Sequence, residues 1–224
     1  FSLSLMTLPR RMSLSSMGCL RAKGSAPVIT LTGYAESRDG FDAVAQAAKT
    51  YLPEGGAVLD GGAGECYYTE KIAKALEKRG DAAKVYAFDI SKDAVKLAAK
   101  RKTGISLAVA GVYRMPVAAG SVDVFLNLFA PFAKDEIQRV LRTRGYLIMA
   151  IPEREHLFGL KAAVYDTPYP NEVADTAIEG FSLLESRELR KTVTLSDRET
   201  IAALFAMTPY AYRTSPQDAA RLAF

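Results

Sequence analysis

Between Ala57 and Ile151 the chain alternates short apolar runs with stretches whose apolar residues recur at helical spacing. The runs are Ala57–Asp60, Lys84–Asp89, Ile105–Ala110, Val122–Leu128 and Tyr146–Ile151. Between them lie a segment with Ile72, Ala73 and Leu76 on one face and closed by Gly80, a segment capped by Ser91 and reaching Lys102, and Asp135–Leu141. Strands joined through helices are parallel, and a parallel sheet must be covered on both faces. The pattern predicts an α/β fold built on a doubly wound, Rossmann-like sheet. A further helix precedes the first run, with Phe41, Val44, Ala45, Ala48 and Leu52 on one face, and the turn Pro53-Glu54-Gly55-Gly56 ends it. Beyond Pro152 the order loosens into helical stretches over 156–165 and 197–207 and an extended stretch from Phe181 to Leu195.

Composition narrows the chemistry. The 224 residues are 49% hydrophobic and 24% charged, an ordinary balance for a globular chain able to bury its own core. No apolar run is long enough for a transmembrane helix, so no membrane partner is expected. Two cysteines, Cys19 and Cys66, and one histidine, His156, exclude a disulfide framework, a four-cysteine zinc site and any site needing two histidines. No metal is expected. The net charge of +4 permits an anionic partner without requiring one. Residues 1–35 contain no Asp or Glu and carry Arg10, Arg11, Arg21 and Lys23 among Ser, Leu and Met. They read as a small basic N-terminal segment, with a transit peptide as the rival reading. Residues 36–224 then form the α/β domain.

The chemistry gathers at the strand ends. Asp60-Gly61-Gly62-Ala63-Gly64-Glu65-Cys66 follows a strand and opens a helix, the setting of a nucleotide-binding loop. Glycines such as Gly62 and Gly64 let the backbone turn sharply and approach a ligand. Cys66 stands where a dinucleotide site has its third glycine, which points to a ligand without a pyrophosphate. S-adenosylmethionine is such a ligand. Asp60, at the strand end, could meet its ammonium group. Asp89 ends the next strand, where a carboxylate hydrogen-bonds ribose hydroxyls. The segment Ala110–Pro116 could flank an adenine. After the fourth strand, Asn127-Leu128-Phe129-Ala130-Pro131-Phe132 offers an amide, aromatic rings and a proline where a transferable group should point. Asn127, Pro131 and Phe132 are the candidate catalytic residues, with the core an equal reading for Phe132, and Phe129 is expected in the core. Cys66 has no neighbouring base in sequence and reads as structural. The basic clusters around Lys92–Lys102, Arg139–Arg144 and Arg187–Lys191 are solvated faces, or an RNA footprint if they share a side with the strand ends.

These segments resemble one family. Val58-Leu-Asp-Gly-Gly-Ala-Gly-Glu-Cys-Tyr-Tyr-Thr69, the stretch from Asp89 to Arg101, and Asn127-Leu-Phe-Ala-Pro131 are similar to motifs of the bacterial 23S rRNA (guanine-N1)-methyltransferases. So are Glu155-His156-Leu157, Glu179-Gly-Phe181 and Leu204-Phe-Ala-Met-Thr-Pro209. The resemblance runs from about Gly33 onward. It implies a cytoplasmic enzyme of the class I methyltransferase fold, S-adenosylmethionine as donor, and guanine N1 in a large-subunit rRNA hairpin as acceptor. By motif position it implies that Tyr34, Gly64, Glu65, Asp89 and His156 touch the cofactor. The family carries an N-terminal zinc ribbon of three cysteines and a histidine, whereas residues 1–35 supply only Cys19, so zinc is not expected here. The family sheet ends in an antiparallel strand pair, and the last strand is expected to be missing. Arg142-Thr-Arg-Gly145 replaces the family's Lys-Pro-Gly-Gly turn. Two rival readings stay open: a methyltransferase acting on a small molecule, and a non-catalytic cofactor-binding protein associated with RNA. The oligomeric state, a homodimer included, is not legible.

Overall fold

A computed structural model describes residues 26–33, 38–80, 82–173, 175, 177–189 and 197–222. It comprises two compact units. The larger holds the described residues up to Ile151 together with those from 175 to 189, and the other holds 152–173 and 197–222.

The larger unit is a sheet of seven strands: β1 (Ala26–Gly33), β2 (Ala57–Gly61), β3 (Lys84–Asp89), β4 (Ser106–Val109), β5 (Val122–Leu128), β6 (Leu141–Ile151) and β7 (Phe181–Leu189). Their order is β4-β3-β2-β5-β6-β1-β7, and every neighbouring pair among the described residues is parallel. No antiparallel pair occurs among those residues. Helices α1 (Arg38–Tyr51), α2 (Tyr67–Glu77), α3 (Lys92–Lys100) and α4 (Lys134–Val140) supply the crossovers. All seven residues of β5 are buried, as a central parallel strand covered on both faces requires.

The two faces have separate cores. On one, Val44 and Ala48 of α1 and Ile72 and Leu76 of α2 pack on Val58, Val124, Leu126 and Ile148. On the other, Ile137 and Val140 of α4 meet Leu59, Phe125, Leu147 and Met149. Burying one such side chain stabilises the fold by roughly 1.5–3 kcal/mol. The expected β3 and β5 coincide with the observed strands, and Ser91 caps α3 as predicted, its hydroxyl accepting from the Ala94 amide at 3.2 Å.

Other details differ from expectation. Residues 26–33, read as part of the N-terminal segment, form a strand between β6 and β7. Strand β6 starts at Leu141 rather than Tyr146, because Arg142 reaches back to the nearly buried Asp123 at 3.0 Å and Asp123 also accepts from the Ala57 amide at 2.8 Å. Arg144 in that turn takes a φ of 68°, a left-handed conformation, where the resembled family has glycine. Of the extended stretch expected from Phe181 to Leu195, Phe181–Leu189 is β7, and residues 190–196 lie outside the described residues.

The second unit contains α5 (Phe158–Val164), α6 (Arg198–Ala206), α7 (Pro216–Ala219) and a 3-10 turn at Ala220–Leu222. Leu160, Val164, Ile201 and Phe205 form its core. No helix among the described residues is long and apolar enough to cross a membrane.

Candidate functional site

The strand order reverses between β2 and β5, since the chain runs outward from β2 through β3 to β4 and then returns to β5. Ligands of open α/β sheets bind outside the carboxyl ends of the strands at such a switch point. The loop from β2 to α2 lies there and is tied to its neighbour strand: the amides of Gly62 and Ala63 donate to the Phe88 carbonyl at 2.9 and 3.0 Å. One carboxylate oxygen of Asp89 then accepts from the Gly64 amide and the other from the Ser91 amide, each at 2.8 Å. A carboxylate offers about four lone-pair sites. Asp89 therefore orders the loop and the start of α3 while each oxygen can still accept a hydroxyl.

The loop is built from unusual backbone. Gly62 has a φ of 76°, and a Cβ there would sit 2.7 Å from the Ala130 Cβ, so the loop after β5 presses against it. Gly64 has a φ of 54° and nothing within 4 Å of a would-be Cβ, which leaves open space over its Cα. Cys66 is buried at the N-cap of α2 with a φ of 62°, and its side chain makes no cap hydrogen bond. Burial pushes its thiol up to about 11, which removes it as a nucleophile and agrees with the structural reading.

Asp60 lies beneath the loop, almost wholly buried. It shares the sheet face of α2 and accepts from the Thr69 hydroxyl at 2.5 Å. Burial raises its carboxyl from 3.8 to about 7; Thr69 opposes the shift and Asp89 adds to it. Between those two values the folded protein keeps a proton that the unfolded chain has released. The contribution of Asp60 to stability must therefore fall as pH rises from 3.8 to about 7 and stay level above. Asp60→Asn is expected to remove that slope, leaving the variant more stable at pH 8 by on the order of 2–4 kcal/mol. Denaturant melts of both proteins from pH 5 to 8 check this, and parallel curves would refute it.

Glu65 is paired with Arg101, whose guanidinium reaches the Glu65 carboxylate at 2.7 Å. The loop after β4 is held from α4: Glu136 accepts from the Met115 amide at 2.7 Å, and Arg139 donates to the carbonyls of Val117 and Met115 at 2.7 and 3.1 Å. The Arg139 guanidinium, with the Met115 amide behind it, holds the Glu136 carboxyl down at about 2.

The segment after β5 is closed by Asn127, a buried residue whose amide donates to the Pro131 carbonyl at 3.1 Å. One aromatic expectation reverses. Phe129, expected in the core, has a left-handed φ of 56° and is 39% exposed. Phe132 is half-buried against the core cluster under α4, its ring 6.3 Å from that of Phe181.

His156 belongs to the second unit. Its backbone carbonyl accepts from the Asn171 amide group at 2.7 Å, and burial, with Lys161 nearby, lowers its imidazole below the ordinary value, favouring the neutral ring. Tyr34 lies outside the described residues. Asp60, Gly62, Gly64, Glu65 and Asp89 thus share one loop system, with Ala130 of the Asn127–Phe132 segment against Gly62. Thr69, Arg101, Glu136 and Arg139 escaped the sequence reading. No group of three or more His, Cys, Asp or Glu among the described residues could hold a metal ion.

Comparison with known proteins places these features. The Bacillus subtilis protein YxjB, provisionally named a 23S rRNA (guanine-N1)-methyltransferase, is 32% identical over 165 residues, covering 72% of this chain and 58% of its own. The Streptomyces fradiae 23S rRNA (guanine(748)-N1)-methyltransferase is 31% identical, covering 73% and 59%. The chain thus spans less than two thirds of the length of either relative. A crystal structure of a SAM-dependent methyltransferase from Aquifex aeolicus aligns with 50% of this chain and 65% of its own, at a TM-score of 0.43 and 23% identity. The profile of the methyltransferase-domain family matches residues 52–195, from the end of α1 past β7 and through every loop residue described above. The chain belongs to the methyltransferase-domain family.

Proposed function

We propose that the chain is an S-adenosylmethionine-dependent methyltransferase that acts in the cytoplasm on N1 of a guanine in a 23S rRNA hairpin. The observation that carries the cofactor is Asp89, whose carboxylate holds the Gly64 amide in an open left-handed turn and keeps acceptor capacity for ribose hydroxyls. The rest of the site fits. The N-terminus of α2 has no side-chain cap and suits a carboxylate, and the Asp89 carboxylate favours a cationic ligand. The names of the two curated relatives support guanine N1 as acceptor.

When bound, the cofactor supplies a methyl group on a sulfonium sulfur. Residues of the β2–α2 loop and Asp89 would hold that cofactor, and it would supply the methyl group to the guanine nitrogen. Guanine N1 carries a proton at neutral pH, so the site must help remove that proton as well as hold the nitrogen in line with the methyl group. Asn127 holds the Pro131 carbonyl and so fixes the segment proposed to face the target base. That base must be unpaired or flipped out to arrive. His156 and Tyr34 are proposed as further cofactor contacts.

N1 methylation blocks base pairing. Primer extension across large-subunit rRNA from cells with and without this gene is expected to show one gene-dependent stop at a guanine. No gene-dependent stop would refute the rRNA assignment, and turnover without RNA would mark the small-molecule reading instead.

A further inference from the structure

The loop between β2 and α2 combines two left-handed residues, Gly64 and Cys66, ahead of a helix that no side chain caps. Such backbone is costly unless its surroundings hold it. Asp89 supplies one restraint, on the Gly64 amide. The second comes from the opposite end of α3. Arg101 is the C-cap of that helix, and its guanidinium donates to both the main-chain carbonyl and the carboxylate of Glu65. It also lies 4.7 Å from the centre of the Tyr67 ring and 3.8 Å from Glu70. Arg101 thus touches the loop's main chain, one of its side chains and the first turn of α2. The side chains of Arg101 and Glu65 are 27% and 42% exposed, so it is the added grip on the Glu65 main chain that sets this contact apart from a solvated pair, which would contribute little.

We propose that Arg101 is a positioning residue of the cofactor site. It acts through Glu65, setting the Gly64–Cys66 turn in its binding geometry before a ligand arrives. The inference rests on the reading of this loop as the S-adenosylmethionine site and adds a residue to it. A planar fork is required, because one donor must reach the carbonyl while another reaches the carboxylate. The gain is preorganisation: a loop already set does not have to be ordered on binding.

Calorimetric titration of wild type, Arg101→Ala and Arg101→Lys with S-adenosylmethionine, beside melts of the unliganded proteins, tests this. Arg101→Ala is expected to raise the Kd about tenfold while kcat at saturating cofactor stays within about twofold. Arg101→Lys should fall between the two, since an ammonium can meet the carboxylate without the forked grip. A purely structural role would lower the melting temperature and leave the Kd of the folded fraction unchanged, which overturns the proposal. If Arg101→Ala fails to fold, Arg101→Lys decides by the same Kd. A wild type that does not bind the cofactor at all refutes the site assignment, an outcome distinct from equal binding by all three proteins, which refutes the role of Arg101 alone.

Discussion

Asp89→Ala is expected to weaken S-adenosylmethionine binding by about 100-fold or more, roughly 2.7 kcal/mol. The carboxylate bonds the Gly64 and Ser91 amides, and under the proposed function it also accepts ribose hydroxyls. Hydrogen bonds to a charged group contribute about 1.5–3 kcal/mol each, so losing the ribose contacts while loosening the loop readily reaches that figure. Asp89→Asn should lie between, because its single carbonyl oxygen can serve only one side of the arrangement. Calorimetry on the purified variants settles the matter: a Kd for Asp89→Ala equal to wild type would remove the site assignment.

Gly62→Ala is the second large effect, and here stability is the first casualty. The new methyl group meets the Ala130 Cβ at 2.7 Å on a backbone with a φ of 76°. Left-handed strain of roughly 1–2 kcal/mol and overpacking of roughly 1–3 kcal/mol act together. The melting temperature should fall by several degrees or more, and the loop after β5, which carries Pro131 and Phe132, must shift. Gly64→Ala provides the contrast. Its φ of 54° brings similar strain, but its Cβ meets nothing within 4 Å. It should lose about 1 kcal/mol of stability, yet place a methyl group in the space proposed for the ligand and so weaken binding disproportionately. If both variants lost stability and affinity in the same proportion, the open space over Gly64 would not be a ligand site.

The parts legible in the sequence were those governed by local rules. Strands β3 and β5 announce themselves as apolar runs between turn signals, Ser91 as a cap, and the Gly-rich loop by its place between strand and helix. Contacts made by long side chains across distant segments leave no such trace. Arg101 meets Glu65 over 36 positions, and nothing in the spacing of either says so. The same holds for Glu136, which drew no notice, and for Arg139, read with its basic neighbours as a solvated face or an RNA footprint; both hold the loop after β4. Strand β1 was missed because it follows an acid-poor basic stretch and its two partners lie far along the chain. Phe129 left the core expected of it because a left-handed turn there, invisible to hydropathy, turns its ring outward.

The seat of β1 between β6 and β7 bears on how the chain acquires its shape. Val28 pairs with Leu147 on one side and Leu183 on the other, so β1 waits for strands that follow it far along the chain. The block from β2 to β6 can assemble from neighbouring crossovers, but β1 closes two large loops at once, and such distant pairing is slow. Until it docks, β6 keeps an open edge, and an unpaired edge is a template for association with other chains. Refolding should therefore show a late phase reported by the amides of β1 and β6, and yield should fall with protein concentration during that interval.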